Sequence, residues 1–318
     1  MSRPFVDSTA AAGAPGDPGR ASAQQALRTS PPDETRRALT AVAAALPHRR
    51  SLRIPSGADT VQPRSEAVLS RAAAKAANRA WRELHRAACA PYRAAGRFAW
   101  HFARGKLGRD PVFRALLQRG DLPAHARVLD IGCGQGLLAS LLVAAQDLHA
   151  RGAWPAVWAD APVGVRYTGI ELMARDIARA ERAASHLPGA PRFVQADMCN
   201  AALPESDVVV ILDVLHYVDI AAQDAVLARV RDALRPNGRL LLRIGDAADR
   251  RRFAASQWVD RVVTLTRGHR IAPTFGRPLE AWIAALQRLG FAVRSVPMSR
   301  GTPFANVLLV ADLTVQRA

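Results

Sequence analysis

The stretch Val128–Gly136 restricts the fold of this chain more than any other part of the sequence. Here an apolar run ends at Asp130-Ile131, and glycines follow at positions 132, 134 and 136. A second apolar run with helical periodicity, Leu137 to Ala145, comes directly after them. This order predicts a buried parallel strand, a tight glycine loop and the start of a helix. Because glycine lets the backbone approach a ligand and a helix N-terminus offers free N–H groups, the stretch predicts a nucleotide-type site.

The spacing of the glycines and the position of the acid narrow the choice of ligand. A dinucleotide fingerprint reads G-x-G-x-x-G, whereas the glycines here alternate and Asp130 stands two positions before the first of them. A carboxylate so close to the loop would repel a pyrophosphate but suits a ligand that carries an ammonium group. Glycine turns between a strand and a helix are common, so this motif alone does not establish the ligand.

Three later apolar runs also end in an acidic residue. Glu171 closes the run that starts at Val165, Asp197 closes the one from Arg192, and Asp213 follows the one from Ser206. Helical patterns alternate with these runs, which predicts right-handed crossovers and a doubly wound parallel sheet. Ligands bind at the carboxyl ends of such strands. All four acids are expected at that edge, and this coincidence is stronger evidence than any single motif.

The end of the chain predicts a different strand pairing. Phe291–Val296 and Val307–Leu313 have the pattern of strands, and the connection between them is too short for a crossover helix. The two strands therefore have to pair antiparallel. The sequence thus predicts an α/β fold whose mostly parallel sheet finishes in a C-terminal antiparallel hairpin.

Each strand-end acid has a functional and a structural interpretation. Glu171 is suited to bond both hydroxyls of a ribose, or to cap the helix predicted over Met173–Ala184. Asp197 suits an adenine amino group, with Met198 against the ring face, or it is an acid of a strand-end turn. Both interpretations remain open for each residue at this point.

With these surroundings, residues 127–312 resemble the class I S-adenosylmethionine (SAM) methyltransferases. The resemblance rests on the glycine loop, the later strand-end acids, the Leu234–Leu240 turn and the final hairpin. It implies a Rossmann-like, seven-stranded, doubly wound sheet and an enzyme that uses SAM. By this resemblance the cofactor-binding residues are Asp130, Gly132, Cys133, Gly134 and Gly136 for the methionine part, Glu171 and Leu172 for the ribose, Asp197 and Met198 for the adenine, and Asp213 at the junction with the acceptor.

The segment Asp213–Tyr217 resembles that of small-molecule methyltransferases, including those that act on quinones. Phe102–Phe113 and Thr302–Ala311 resemble methyltransferases of bacterial aryl polyene pigment pathways. His216 is a candidate base for a hydroxyl acceptor, or else a packing or substrate-contact residue. Tyr217 is expected either to shape the acceptor pocket or to pack. The resemblance favours methylation of oxygen on a small-molecule or acyl-carrier-bound substrate, and no metal site is predicted.

Two absences in the sequence bear on the acceptor. No Asn/Asp-Pro-Pro-Tyr sequence follows the fourth strand, and no Pro-Cys nucleophile occurs in the acceptor region. The first absence counts against methylation of an amino group of adenine or glutamine. The second counts against methylation at carbon 5 of cytosine.

The positive charge of the chain is concentrated in its first part. Of the net charge of +17, residues 1–126 contribute +12 (21 Lys+Arg against 9 Asp+Glu) and residues 127–318 contribute +5 (23 against 18). Apart from Lys75 and Lys106 every one of these cations is arginine, which reflects genomic composition or an anionic partner. We therefore consider that the basic helices either form a solvated cap or dock an acidic carrier protein, an anionic substrate or an anionic lipid surface.

Composition divides the chain into three predicted parts. Residues 1–64, rich in Ala, Pro and Arg, are expected to be disordered. Residues 65–121 predict a basic helical extension, with two amphipathic helices interrupted near Pro91 and a short helix from Asp110-Pro111 to Gly120. Residues 122–318 form the predicted methyltransferase domain. The three cysteines show no ligand spacing and no apolar run approaches ~20 residues, so a cytoplasmic location without a transmembrane segment is expected.

Two other classes of protein remain as alternatives. One is an RNA or protein methyltransferase or binding module that uses the basic front part, although nucleic acid is not favoured because no RNA-binding signature is present. The other is a nicotinamide oxidoreductase, which the glycine spacing and the C-terminal hairpin disfavour.

Overall fold

The computed structural model describes residues 63–185, 187, 189–245, 275–299 and 306–314 of the chain, with side chains from residue 71 onward. The predicted disordered tail, 1–64, lies outside the described residues except for its last two. Residues 246–274 and the first part of Thr302–Ala311 also lie outside them.

The helices and strands alternate as predicted from Arg127 onward. The helices are α1 (Pro63–Cys89), α2 (Arg97–Arg109), α3 (Pro111–Arg119), α4 (Leu137–Ala150), α5 (Ala174–Ala184), α6 (Ile220–Ala233) and α7 (Leu279–Arg288). The strands are β1 (Arg127–Ile131), β2 (Arg166–Glu171), β3 (Arg192–Gln195), β4 (Ser206–Leu212), β5 (Leu234–Gly245), β6 (Phe291–Pro297) and β7 (Asn306–Leu313).

The seven strands form one sheet in the order β3-β2-β1-β4-β5-β7-β6. The first five strands pair in parallel, and β7 pairs antiparallel with both β5 and β6. This confirms the predicted doubly wound sheet with its C-terminal hairpin. The carboxyl ends of β1 and β4 are neighbours, since Ile131 pairs with Ile211. Chain order reverses between these two strands, which is where such sheets bind ligands.

The central strands are apolar because both faces of the sheet are covered. Along β4, Val208 and Val210 pack in one core, while Val209 and Ile211 pack in the other. Successive side chains of a strand point to opposite faces, so a strand buried on both faces has to be apolar at every position. This explains the unbroken apolar run in β4.

The N-terminal helices share the first of these cores. Leu84 of α1, Leu107 of α2 and Leu116 of α3 are fully buried there together with residues of α4 and the sheet. As predicted, the helical pattern is interrupted at Pro91, where the chain forms a 3-10 turn over Ala90–Arg93. Asp110 also caps α3 as predicted, since its side chain accepts a hydrogen bond from the N–H of Val112.

The entry into β5 differs from the sequence prediction. Leu234 belongs to β5 and not to the preceding helix, because it already pairs with Ser206 of β4. Pairing resumes only at Arg239 opposite Val208, so the predicted turn, residues 235–238, bulges out within the strand. Asn237 takes the left-handed backbone conformation (φ 63°) that such a bulge requires.

Candidate active site

The glycine loop is closely packed on one side and open on the other. A side chain at Gly132 would bring its Cβ within 2.4 Å of the Val214 side chain, so only glycine fits there. At Gly134, by contrast, an added Cβ would meet nothing within 4 Å, although the backbone is left-handed (φ 55°). The loop is thus fixed against the segment that follows β4 and has open space beside Gly134.

Glu171 joins the end of β2 to the glycine loop. Its Oε2 accepts a hydrogen bond from the N–H of Gly134 at 2.9 Å, and its Oε1 accepts one from the N–H of Met173 at 3.0 Å. The second bond lies just before α5, but it does not cap the helix, because the N-cap residue is Met173 and no side chain accepts from the first turn. Because each carboxylate oxygen accepts two hydrogen bonds and Glu171 is half-buried, capacity for ligand hydroxyls remains.

Asp130 lies beneath the loop, only 4% exposed. Its Oδ2 accepts a hydrogen bond from the Tyr167 hydroxyl at 2.6 Å. Burial raises the pKa of the Asp130 carboxyl to about 7, the Tyr167 bond opposes this rise, and the nearby charge of Glu171 adds to it. A group with such a pKa changes charge near neutral pH, which suits electrostatic interaction with a ligand cation.

Two neighbours predicted as cofactor-binding residues occupy opposite surroundings. The Cys133 side chain is buried, and its Sγ lies 2.6 Å from where a Cβ at Gly169 would be. Burial raises the pKa of this thiol well above its ordinary value, so the side chain packs as a neutral apolar group. Leu172, in contrast, is 59% exposed directly after the end of β2.

Asp197 and Met198 begin the loop after β3. The Asp197 carboxylate is exposed and accepts a hydrogen bond from the N–H of Cys199 at 2.9 Å, as the turn interpretation predicts. Arg229 of α6 fixes the same loop, because its guanidinium donates to the carbonyls of Met198 (2.8 Å), Cys199 (2.7 Å) and Ala201. The position of Met198 therefore depends on α6, which the sequence did not reveal.

Asp213 belongs to a cluster of four charges at the ends of β4 and β5. Both of its oxygens accept hydrogen bonds from Arg243, and Lys106 of α2 lies 3.4 Å away. Arg243 also donates to Asp110, whose carboxylate lies 2.9 Å from the Lys106 Nζ. Burial raises the pKa of Asp213, but the charges of Arg243 and Lys106 outweigh it, so the pKa stays below its usual range. Asp213 is thus an ion-paired carboxylate.

The helical extension covers the carboxyl edge of the sheet. The side-chain amide of Gln135, in the glycine loop, donates to the Ala99 carbonyl at 2.8 Å. The backbone carbonyl of Gln135 accepts a hydrogen bond from the Tyr92 hydroxyl at 2.9 Å. Nine residues beyond its start, the same helix α2 holds Lys106 beside Asp213. Helix α2 therefore runs from the end of β1 to the ends of β4 and β5, across the strand ends of the candidate site.

His216 and Tyr217 lie on the segment after β4, in a 3-10 turn over Leu215–Tyr217. Their rings are 4.2 Å apart between centroids, and Tyr217 is 42% exposed. The carbonyl of His216 accepts a hydrogen bond from the N–H of Phe275 at 2.8 Å, which fixes its backbone. Since Val214 packs on Gly132, these two side chains belong to the same edge as the four strand-end acids.

The structure also bears on metals and membranes. Within residues 63–245 and 275–314, as far as they are described, no group of three His, Cys, Asp or Glu side chains could hold a metal ion. In the same part of the chain no helix is both long and apolar enough to cross a bilayer.

Comparison with protein families identifies the class. A family model described as "Methyltransferase domain" matches residues 99–296, which is more than half of the chain and includes most of α2 and the strands β1 to β5. Carboxy-S-adenosyl-L-methionine synthases from Aeromonas salmonicida and Aeromonas hydrophila are 31% and 30% identical over 123 residues, or 37% of this chain. The chain spans only 43% of the length of these two relatives.

Solved structures of methyltransferases are similar to this chain over 68–71% of its length. Magnesium protoporphyrin IX methyltransferase from Synechocystis PCC 6803 is 19% identical, with a TM-score of 0.46 over 69% of this chain and 89% of that one. An O-methyltransferase family protein from Burkholderia thailandensis is 19% identical, with a TM-score of 0.49 over 71% of this chain and 63% of that one. Mitomycin 7-O-methyltransferase is 23% identical, with a TM-score of 0.48 over 68% and 56%.

The predictions of an enzyme and of a methyltransferase are confirmed by the family match. The family match includes the glycine loop, all four strand-end acids and most of helix α2. The chain belongs to the methyltransferase domain family.

Proposed function

We propose that this enzyme methylates an oxygen atom of a small-molecule or carrier-bound acceptor, with His216 as the base. The observation that carries the proposal is the contact of Val214 with Gly132, because it places the His216 segment against the loop proposed to hold SAM. A hydroxyl acceptor has to lose a proton during methyl transfer, and histidine is the usual base for that step. A quinone-like or aryl polyene acceptor stays a prediction from the sequence resemblance.

The site residues fit SAM in the arrangement that the sequence predicts. We assign the open side of Gly134 and the Asp130 carboxylate to its methionine part, Glu171 to the ribose, and Asp197 with Met198 to the adenine. When bound, SAM supplies a methyl group on a sulfonium, which is open to direct displacement. The protein's own part is to align the two reactants, to exclude water and to accept the proton. Helix α2, across the strand ends, is suited to exclude water.

Asp213 has a supporting part in this proposal. Its carboxylate is occupied by Arg243 and Lys106, so it fixes the start of the segment that carries His216. We assign it to positioning at the junction of SAM and acceptor, and Tyr217 to the rim of the acceptor pocket. An acidic carrier protein that delivers the acceptor would be bound by the basic helices at the front of the chain.

The SAM assignment is tested by Glu171→Gln. The amide loses one of the two acceptor oxygens that serve Gly134, Met173 and the ribose hydroxyls, so we expect the Kd for SAM to rise at least about tenfold, or ~1.4 kcal/mol. Isothermal titration calorimetry measures it. Glu181→Gln, on the exposed side of α5, is the matched control and should leave the Kd unchanged. Equal Kd values for the two variants would remove Glu171 from the site.

The role of His216 is tested by His216→Gln. We expect kcat to fall by about 100-fold or more, the usual contribution of a general base, while the Kd for SAM stays within about twofold. The assay follows radioactive methyl transfer to a panel of hydroxylated aromatic and carrier-bound acyl compounds. An unchanged kcat on the best acceptor of the panel would show that His216 is a packing residue. A product methylated on nitrogen or carbon would contradict the proposed oxygen acceptor.

A further inference from the structure

The exposed face of α1 carries a row of five cations. We call it the cationic row, and its members are Arg71, Lys75, Arg79, Arg82 and Arg86. At 3.6 residues per turn and 1.5 Å per residue, their positions fall within about 80° of arc along about 22 Å of helix. The buried residues of the same stretch, Ala77, Ala80, Leu84 and Ala88, fall on the opposite side. The row therefore points away from the core.

The row is not neutralised by the described part of the protein. None of its members forms an ion pair with a described residue, whereas the nearest acid on the helix, Glu83, is engaged by Arg151 at 2.7 Å. Like charges three and four residues apart on a helix destabilise it. The row thus weakens α1 when unbound, and an anionic partner would relieve this repulsion.

The surface beside the cations restricts the kind of partner. The other exposed positions of α1 are mostly alanine, among them Ala72, Ala74, Ala76 and Ala87, and they flank the row. Such small side chains leave room for a second helix to lie along the row, within reach of the long cationic side chains. A helix that binds a bilayer surface inserts large apolar side chains into it, but no large hydrophobic side chain of α1 is exposed within residues 71–89.

We propose that the cationic row docks an acidic α-helix of a partner protein. Asp or Glu residues at i, i+4, i+8 and i+11 of that helix would repeat the spacing of the row, so each carboxylate would meet a cation. A second copy of this chain does not fit, because it carries a net charge of +17. Residues 1–62 do not fit either, since they hold 8 Lys+Arg against 5 Asp+Glu.

This inference goes beyond the proposed function, because the row lies on the face of α1 opposite its buried side and needs no particular acceptor. If the acceptor is carried by a protein, the inference specifies which part of that protein docks: an acidic helix. Binding at the row and binding of SAM are separate measurements on the full chain, so one of them can fail while the other holds.

The test uses labelled, alanine-based helical peptides as probes. One peptide has five glutamates in the spacing of the row, and its isomer has the same five spread around the helix. By fluorescence anisotropy with the full chain, we expect the matched peptide to bind at least about tenfold more tightly than the isomer. The double variant R79E/R82E should lose at least about tenfold. The control R231E/R288E, with the same change in net charge on exposed arginines elsewhere, should stay within about twofold.

Several outcomes would overturn the proposal. The first is equal binding of the two peptides, and the second is an equal loss of binding in the control variant. The third is binding of an RNA of the same charge, or of phosphatidylserine vesicles, that depends on the row and is tighter than binding of the matched peptide. If R79E/R82E does not melt cooperatively by circular dichroism, R79Q/R82Q replaces it with R231Q/R288Q as control. SAM affinity should be unchanged in all of these variants, because the row lies outside the proposed SAM site.

Discussion

Replacing Arg243 by methionine is expected to lower the free energy of unfolding by about 3 kcal/mol. Removing one partner of a buried ion pair costs 3–5 kcal/mol, since the remaining charge is left without compensation. Arg243 is fully buried, and its loss leaves Asp110 and Asp213 with Lys106 alone. We expect the lower end of the range because the Asp213 side chain is 29% exposed.

Urea unfolding measures this effect, with an unchanged m-value showing that the native state keeps its compactness. Arg231→Met is the control, because Arg231 is 52% exposed and pairs with an exposed aspartate; it should cost less than about 1 kcal/mol. In the double variant with Asp213→Asn, the second change should recover part of the loss. Equal stability of the two arginine variants would mean that the cluster contributes nothing.

The cost of Arg243→Met should depend on pH. In the protein the pKa values of Asp110 and Asp213 lie below their ordinary value of 3.8, so the stability they contribute is present above about pH 4 and is lost as the pH falls through the lower native values. Without Arg243, burial favours the neutral forms of Asp110 and Asp213. Protonation of these carboxylates at low pH therefore removes the cost of their uncompensated charge in the variant. The difference between protein and variant should therefore be largest near pH 7 and shrink below about pH 4.

Asp130→Asn is expected to stabilise the protein at pH 8 while it weakens SAM binding. The asparagine oxygen keeps the hydrogen bond from Tyr167, but no charge has to be buried. With a native pKa of about 7 against 3.8 for the ordinary carboxyl, the ionised form costs up to about 4 kcal/mol at 1.36 kcal/mol per pKa unit. The native state binds more protons between these two values, so stability falls as the pH rises from about 4 to 7.

The comparison of Asp130→Asn with the unchanged protein at pH 4 and pH 8 tests this cost. We expect similar unfolding free energies at pH 4 and a more stable variant at pH 8. The exposed control Asp232→Asn should show neither effect. The affinity for SAM should rise with pH through 7 only in the unchanged protein, as the carboxylate that faces the ligand ammonium forms. A variant that is no more stable at pH 8 would show that Asp130 is already neutral or well solvated.

The sheet could be predicted well because local sequence patterns mark its strands. The apolar run of β4 is unbroken, and the final pair of strands is too close in sequence for any crossover. The glycine loop and the strand-end acids also follow from local spacing, because the carboxyl ends of parallel strands meet at one edge. The entry into β5 was predicted less well, since the bulge at Asn237 depends on pairing with Ser206, which local sequence does not encode.

The connections between distant residues could not be predicted. The pairing of Arg243 with Asp110 and Asp213 joins three separate parts of the chain, and only the position of an arginine within the apolar run of β5 hinted at it. Likewise, the basic helices were interpreted as a solvated cap or a docking surface, yet Lys106 of α2 enters the charge cluster of the site. Arg229 gave no signal at all, because its partners are backbone carbonyls.

The link between Asp110 and Arg243 also orders events during synthesis of the chain. The two residues are 133 positions apart, and a ribosome adds about 5–20 residues per second. Helix α3 therefore emerges roughly ten seconds before the arginine that neutralises its capping acid. During that interval Lys106, one turn earlier, is the described cation that can hold Asp110. A nascent chain acquires the fixed position of α2 over the strand ends only when β5 has joined the sheet.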